Sequence, residues 1–302
     1  MFTVGHISDY HFSKGFSNEK LSFIEKRLDG INYVFITGDL IDDNQYIREN
    51  PKERDRLLAH LERLSLNNDR KEVVISLGNH DQFSKINNSW QKDWNDGFWK
   101  EINSIKGITV PYYEGKYEDN NIFVSSIDPG YSYYENNDKF EKKELLIDEL
   151  KSKKEILQSI KSNKFNILLS HSPVYMTDEE VLNYIYNYDC ILSGHMHNGL
   201  VFPLLDDILN ALSKIPNFEQ LKNIGIISPY KKLFPDNARG IKNIKYNDKE
   251  LTLYISGGIT TLVGSPLMNM INDLFYPVII DKYYSEENRE NTKILVPFNS
   301  KR

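Results

Sequence analysis

The chain is poor in cysteine. Cys190 is the only one among 302 residues, so no internal disulfide can form, and a reducing compartment, the cytoplasm, is expected. The thiol stands inside the apolar run Cys190-Ile191-Leu192-Ser193, where a buried structural role is expected of it. Basic residues are also in deficit: 37 Lys and Arg against 43 Asp and Glu leave a formal net charge of −6. That balance gives no global basic footprint for nucleic acid, which disfavours a nuclease, but it leaves room for a local positive site made by metal ions. Long hydrophobic runs are missing as well. The most apolar late stretch, 259–280, contains Asn269, Asn272, Asp273 and two prolines, groups that hydrocarbon would leave unsatisfied, so no membrane span is expected. No basic segment followed by a long apolar one opens the chain, so a cleaved signal peptide is not expected either. No internal repeat or low-complexity linker divides the sequence. With 40% hydrophobic residues, 1–302 is expected to form a single domain with a full core.

What is present is a repeated pairing of an apolar run with a polar tip. Val73-Val74-Ile75-Ser76-Leu77 is short, β-branched and closed by a glycine, as a buried strand would be, and it ends in Gly78-Asn79-His80-Asp81. Phe2 to Ser8 ends in Asp9-Tyr10-His11. Tyr33 to Thr37 ends in Gly38-Asp39, with Asp42 and Asp43 just beyond. Phe165 to Ser170 ends in His171, and Cys190 to Ser193 ends in Gly194-His195-Met196-His197. In open α/β sheets ligands bind beyond the strand tips, so these residues are expected to converge on one rim.

The intervening segments alternate with the strands. Asn18 to Leu28 and Pro51 to Leu64 carry apolar residues at helical spacing, with Ser17 as a cap and Pro51 as a start signal. Strand, helix, strand, helix, strand from Phe2 to Leu77 is a pair of βαβ crossovers, which require a mainly parallel sheet. Gln82 to Lys106, with Trp90, Trp94, Phe98 and Trp99, is expected to be a surface helix whose aromatic stripe packs on the body. Ile108 to Tyr117 and Asn121 to Ile127 are expected as strands, and Asp138 to Lys161 as one long charged helix. Beyond His197, a short extended piece over 199–203, an amphipathic helix over 204–215 and an irregular stretch over 216–240 suggest a lid or substrate loop across 204–240. Strands return at Leu251 to Ser256 and Tyr276 to Tyr284.

The chemistry lies in the tips. Side chains at i and i+2 of an extended segment share a face, so Asp9 and His11 can grip one cation, and His195 and His197 can face one site. Asp9, His11, Asp39, Asn79, His171, His195 and His197 are too many for one tetrahedral ion and suit two ions sharing a carboxylate. Imidazole, carboxylate and amide oxygen together favour Mn, Fe or Zn over Mg or Ca. His6, inside a strand, and His60, on a charged helix, are assigned structural places.

In this order the motifs D-x-H, G-D, G-N-H-D, H and G-H-x-H resemble the calcineurin-like metallophosphoesterase superfamily over roughly residues 1–199. The resemblance implies an α/β fold, the four-layer αββα sandwich of the metallo-dependent phosphatase type. It also implies two divalent ions, with Asp9, His11 and His197 on one, Asn79, His171 and His195 on the other, and Asp39 as the bridge. His80 would be the general acid toward the leaving oxygen, with Asp42 as its carboxylate partner and Asp81 as the second candidate. Asp42 is followed by Asp43, where protein serine/threonine phosphatases of this superfamily have Arg-Gly, and His80 is followed by Asp81 instead of Glu; a protein phosphatase is disfavoured.

Asn198-Gly199, Pro203, Arg239-Gly240 and Ser256-Gly257-Gly258 are similar to the tails of bacterial branches that act on lipid-linked or nucleotide-linked phosphates. Arg239 would hold a phosphate oxygen or make a surface ion pair. The function expected is metal-dependent hydrolysis of a phosphate mono- or diester, or of a pyrophosphate bond, in a small phosphorylated substrate. A non-catalytic scaffold of the same fold and a nuclease are the alternatives. The sequence sets no oligomeric state.

Overall fold

A computed structural model of the chain describes residues 1–66, 72–87, 89–136, 138–195, 240–259, 280–287 and 293–298. The first half runs β1 (Thr3–Ile7), α1 (Asn18–Arg27), β2 (Tyr33–Thr37), α2 (Asn44–Glu49), α3 (Pro51–Ser65), β3 (Glu72–Ser76), a hairpin of β4 (Phe83–Ile86) and β5 (Ser89–Lys92), then α4 (Asp96–Ser104) and β6 (Ile108–Thr109). The chain continues through α5 (Pro111–Glu114), β7 (Lys116–Glu118), β8 (Ile122–Ile127), α6 (Tyr131–Glu135), α7 (Lys139–Ser152), α8 (Lys154–Gln158), β9 (Phe165–Ser170), α9 (Glu179–Ile185) and β10 (Cys190–Ser193). It ends with β11 (Gly240–Tyr246), β12 (Lys249–Ile255), β13 (Asp281–Glu287) and β14 (Lys293–Pro297).

Two six-stranded sheets result, ordered β14-β13-β1-β2-β3-β6 and β11-β12-β10-β9-β8-β7. β1, β2, β3 and β6 are parallel, as are β8, β9, β10 and β12, while the other pairings are antiparallel. Strands with both faces buried should be apolar throughout, and side-chain alternation shows where each face goes. In β2, Tyr33 and Phe35 enter the core between the sheets, while Val34 and Ile36 face the helices. In β9, Phe165, Ile167 and Leu169 point between the sheets and Leu168 points outward. The outer face of the first sheet is covered by Leu21 and Ile24 of α1, Leu57, Leu61 and Leu64 of α3, and Phe98, Trp99 and Ile102 of α4. Leu146 and Leu150 of α7 and Val181 and Ile185 of α9 cover the second sheet. This is the expected αββα sandwich. Cys190 is buried between the sheets, in the structural place expected of it. Among the described residues no helix is long and apolar enough to cross a membrane.

Several local expectations are corrected. Gln82 to Lys106 is not one helix: β4 and β5 form a hairpin in which Ile86 pairs with Ser89, turning at Asn87, whose φ of 51° is left-handed. Asparagine tolerates that conformation, and such turns match the twist of paired strands. Only 96–104 is helical, and there Phe98 and Trp99 pack inward as expected, with Trp99 stacked on Trp94 just before the helix. Ile108 to Tyr117 is broken because Pro111 starts the short helix α5 at its first position. The long helix breaks at Lys153, whose ammonium reaches 3.1 Å to the Ser126 carbonyl and 3.2 Å to Asp128 Oδ2. The segments 199–203, 204–215 and 216–239, with Arg239, lie outside the described residues, as does Tyr276.

Candidate metal centre

The strand tips gather on one edge of both sheets, and the backbone there is bent out of the ordinary regions. Asp9, His11, Asp39 and His195 have φ of 54°, 46°, 53° and 69°. Left-handed non-glycine residues cost roughly 1–2 kcal/mol each and survive where the surroundings over-determine them. The restraints are visible. Asp9 N donates to the Gly38 carbonyl at 3.1 Å, His11 N to the Asp39 carbonyl at 2.9 Å, Gly194 N to the His171 carbonyl at 2.9 Å, and His195 N to Asp9 Oδ2 at 3.1 Å. Two glycines permit the close approach. A Cβ on Gly78 would lie 2.2 Å from Asp39 Oδ1, and one on Gly38, at φ +81°, would lie 2.4 Å from His171 Nδ1.

Asp39 is held so that its two oxygens do different work. Oδ1 accepts the His80 backbone N–H at 2.8 Å. Oδ2 is buried, accepts no hydrogen bond among the described residues, and lies 3.1 Å from His171 Nε2 and 3.6 Å from His11 Nε2. His171 Nδ1 stands 2.7 Å from the Thr37 carbonyl oxygen. A carbonyl only accepts, so the ring proton belongs on Nδ1, and Nε2 of the neutral imidazole presents a lone pair. That lone pair faces Asp39 Oδ2, Asn79 Oδ1 at 3.2 Å and His195 Nδ1 at 3.1 Å.

Oxygens that converge on an imidazole nitrogen in this way attract positive charge, either a proton on Nε2 or a metal ion. Burial works against an imidazolium at His171, but attraction to Asp39 outweighs it and raises the group to about 9. Burial likewise opposes ionisation of Asp39, yet His171, His80 and His11 hold its carboxyl well below the usual range. The same appetite for positive charge suits a divalent ion, and the donors are imidazole, carboxylate and amide oxygen. Ligand atoms of Asp39, His171 and His195 lie within 4.8 Å of one another, as do those of Asp9, His11 and Asp39. The residues present therefore fit a metal centre with Asp39 common to both groups.

A second layer of carboxylates shapes the tips. Asp81 is buried and accepts the backbone N–H groups of Asp39 and Gly78 at 2.8 Å and of Ile41 at 3.2 Å. Burial and the charge of Asp39 push it up to about 7. Asp128, at the tip of β8, accepts Leu77 N at 2.9 Å and pairs with Lys153. His80 Nδ1 stands 2.7 Å from the Asp42 carbonyl oxygen and 3.6 Å from its Oδ1, and Asp42 Oδ1 is also 3.5 Å from His11 Nδ1. Tyr134, on α6, packs its ring against His171 and His195.

Residues 2–199 match the calcineurin-like phosphoesterase family. The chain belongs to that family. This calcineurin-like phosphoesterase is accordingly an enzyme, a metal-dependent hydrolase of phosphoric esters. No curated protein matches its sequence significantly. A search of solved structures finds the phosphopantetheinyl hydrolase PptH from Mycobacterium tuberculosis, similar at 12% identity and a TM-score of 0.44 over 99% of this chain and 97% of that one. At that TM-score the likeness bears on neither fold nor substrate.

Of the residues singled out in the phosphoesterase sequence, Asp9, His11, Asp39, Asn79, His171 and His195 are brought together, with His80 and Asp42 beside them. His197 and Arg239 lie outside the described residues. His6 and His60 stay out of the centre: His6 Nε2 meets Thr37 Oγ1 at 2.9 Å, and His60 lies 2.7 Å from Glu25 and 3.4 Å from the Tyr10 hydroxyl. Asp81, the second candidate for supporting His80, gives its oxygens to the main chain instead. Asp128 and Tyr134 were not singled out, although a sixth apolar run ending in a carboxylate, Ile122 to Asp128, follows the same rule as the other five.

Proposed function

We propose that this phosphoesterase holds two divalent ions and hydrolyses a phosphate mono- or diester, or a pyrophosphate bond, of a small phosphorylated substrate without a covalent intermediate. The observation that carries the reading is the set of metal-ligating atoms closing on Asp39 Oδ2 and His171 Nε2. Asp9, His11 and His197 would hold one ion and Asn79, His171 and His195 the other, with Asp39 between them. Imidazole-rich sets of this kind favour Mn, Fe or Zn. Ions held there would supply Lewis acidity toward phosphoryl oxygens and a water of lowered pKa as nucleophile.

The chain's own residues would do the rest. His80, its Nδ1 held by the Asp42 carbonyl and its ring 4.5 Å from that of His11, would give a proton to the leaving oxygen from Nε2. Arg239 would take a phosphate oxygen with its forked donors. The segment 204–240 would be a lid or substrate loop. Residues 1–302 would form one domain, a reading supported by β11, β12, β13 and β14, which extend the two sheets begun before residue 199. Nucleotide-linked and lipid-linked phosphates are the substrate classes to try first. The single buried thiol is compatible with a cytoplasmic location.

The test is hydrolysis of an aryl phosphate monoester beside an aryl phosphodiester, after metal removal and reloading with Mn, Fe, Zn or Mg in turn. Turnover should return with metal, and Asp39→Ala and His171→Ala should lose both metal loading and turnover. Retained turnover in either variant would overturn the assignment.

A further inference from the structure

Beside His171 and His195 stands one polar group to which the reading above gives no task. Tyr134 lies on α6, just beyond the tip of β8, with its ring centroid 6.1 Å from that of His171 and 5.6 Å from that of His195. Tyr133 at 4.9 Å and Phe83 at 6.4 Å meet it edge-on, so the direction of the phenol is set by packing on several sides. The hydroxyl is buried, lies in the field of the Asp39, Asp81 and Asp128 carboxylates, and has no hydrogen-bond partner among the described residues.

Buried tyrosine hydroxyls normally find a partner, because withholding one forfeits the bond made to water. Other tyrosines of this chain follow that rule. Tyr133 donates to Ser172 Oγ at 3.2 Å and Tyr254 to the Leu295 carbonyl at 2.6 Å, and the Tyr188 hydroxyl meets Ser125 Oγ at 2.7 Å. Tyr134 departs from it at the one place where an anionic substrate would arrive. Beside a metal centre, a ligand of that centre is the partner such a group is placed to meet.

We propose that the Tyr134 hydroxyl donates a hydrogen bond to an oxygen of the phosphoryl group bound at the centre, making Tyr134 a substrate-binding residue. The inference rests on the phosphoesterase reading of the site and adds a donor to it from the side of His171 and His195. An uncharged donor fits a pocket walled by carboxylates, since it can meet a phosphoryl oxygen without drawing Asp39 away from its own partners.

Tyr134→Phe in the full chain tests this, because it removes the hydroxyl and keeps the ring. Four quantities are read: the melting temperature of the metal-free protein, the metal stoichiometry after loading, the affinity of the metal-loaded protein for inorganic phosphate by calorimetry, and kcat/KM on the better aryl ester. Expected are a melting temperature unchanged or raised, metal stoichiometry equal to wild type, phosphate binding weakened about tenfold, and kcat/KM lowered roughly ten- to a hundredfold. Equal phosphate affinity and equal turnover in the two proteins would overturn the inference. So would a Tyr134→Phe protein that melts well below wild type, fails to fold or loses metal, since the hydroxyl would then have a structural partner. Wild type that hydrolyses neither ester with any metal sinks the underlying reading and the inference together; wild type that hydrolyses, with Tyr134→Phe its equal, sinks the inference alone.

Discussion

His80 Nδ1 is held by the main chain of Asp42, 2.7 Å from its carbonyl oxygen, while the Asp42 carboxylate stands back at 3.6 Å. Because a carbonyl only accepts, Nδ1 is a donor there and the exchangeable proton belongs to Nε2. The carboxylate is shared, since the same Oδ1 lies 3.5 Å from His11 Nδ1. Orientation of His80 thus depends on the backbone, and the side chain of Asp42 adds charge.

That division makes a prediction for Asp42→Ala. The carbonyl survives the substitution, so His80 keeps its direction and loses only a neighbouring negative charge. Turnover of an alkyl phosphoester should fall by about tenfold or less, against a loss of ~10²- to 10⁴-fold for His80→Ala. Parallel kcat measurements on the two variants decide it. Equal losses would return the supporting role to the carboxylate.

His80→Ala should also discriminate between leaving groups. An alkoxide needs a proton as it departs, whereas an activated aryl oxide needs little help. The variant should therefore be impaired at least tenfold more on an alkyl ester than on a nitrophenyl ester of the same phosphoryl group. The same fractional loss on both esters would remove His80 from proton transfer and leave it a positioning role.

Asp81 is the residue whose loss should do most damage without touching substrate. Its carboxylate accepts from Asp39, Gly78 and Ile41, joining the tips of β2 and β3. Asp81→Ala would leave three buried donors unsatisfied, at about 1–3 kcal/mol each and less than additively. A denaturant melt of the metal-free variant should show a loss of several kcal/mol by that reckoning, and metal titration should show at least tenfold weaker loading. Wild-type metal affinity in Asp81→Ala would mean that the Gly38-Asp39 and Gly78-Asn79 turns hold themselves in place.

Why some of this was legible beforehand follows from the kind of interaction involved. Apolar runs such as Val73 to Ile75 and Phe165 to Leu169 announce strands buried on both faces, and a carboxylate or imidazole at the end of such a run has no core use. The convergence of Asp9, Asp39, His171 and His195 could be read for that reason. Edge strands lack the pattern: β11 has one buried residue, Ile244, and Ile241 is half exposed, so its pairing to β12 left little trace. The partner atom of His80 and the three donors met by Asp81 depend on how the tip of β2 approaches that of β3, which composition does not encode. Lys153 reads as one more charge on an amphipathic helix until β8 brings Asp128 to it.

His6 makes the last prediction, on stability. It lies fully buried between the sheets with Nε2 2.9 Å from Thr37 Oγ1, and burial lowers it to about 3. Above an unfolded pKa near 6.5 neither state carries the proton and the full stability is present. As pH falls from there toward about 3, the unfolded chain takes up a proton that the folded chain refuses, so stability is lost at up to ~1.4 kcal/mol per pH unit. Denaturant melts of metal-free wild type and His6→Gln, at about pH 7.5 and about pH 5, isolate this group because the other titrating residues are common to both proteins. Wild type should lose about 2 kcal/mol more than His6→Gln over that interval, as the slope over about 1.5 pH units implies. Parallel losses would mean that His6 accepts its proton in the folded state, and that the polar layer of His6 and Thr37 beneath the metal centre is open to water.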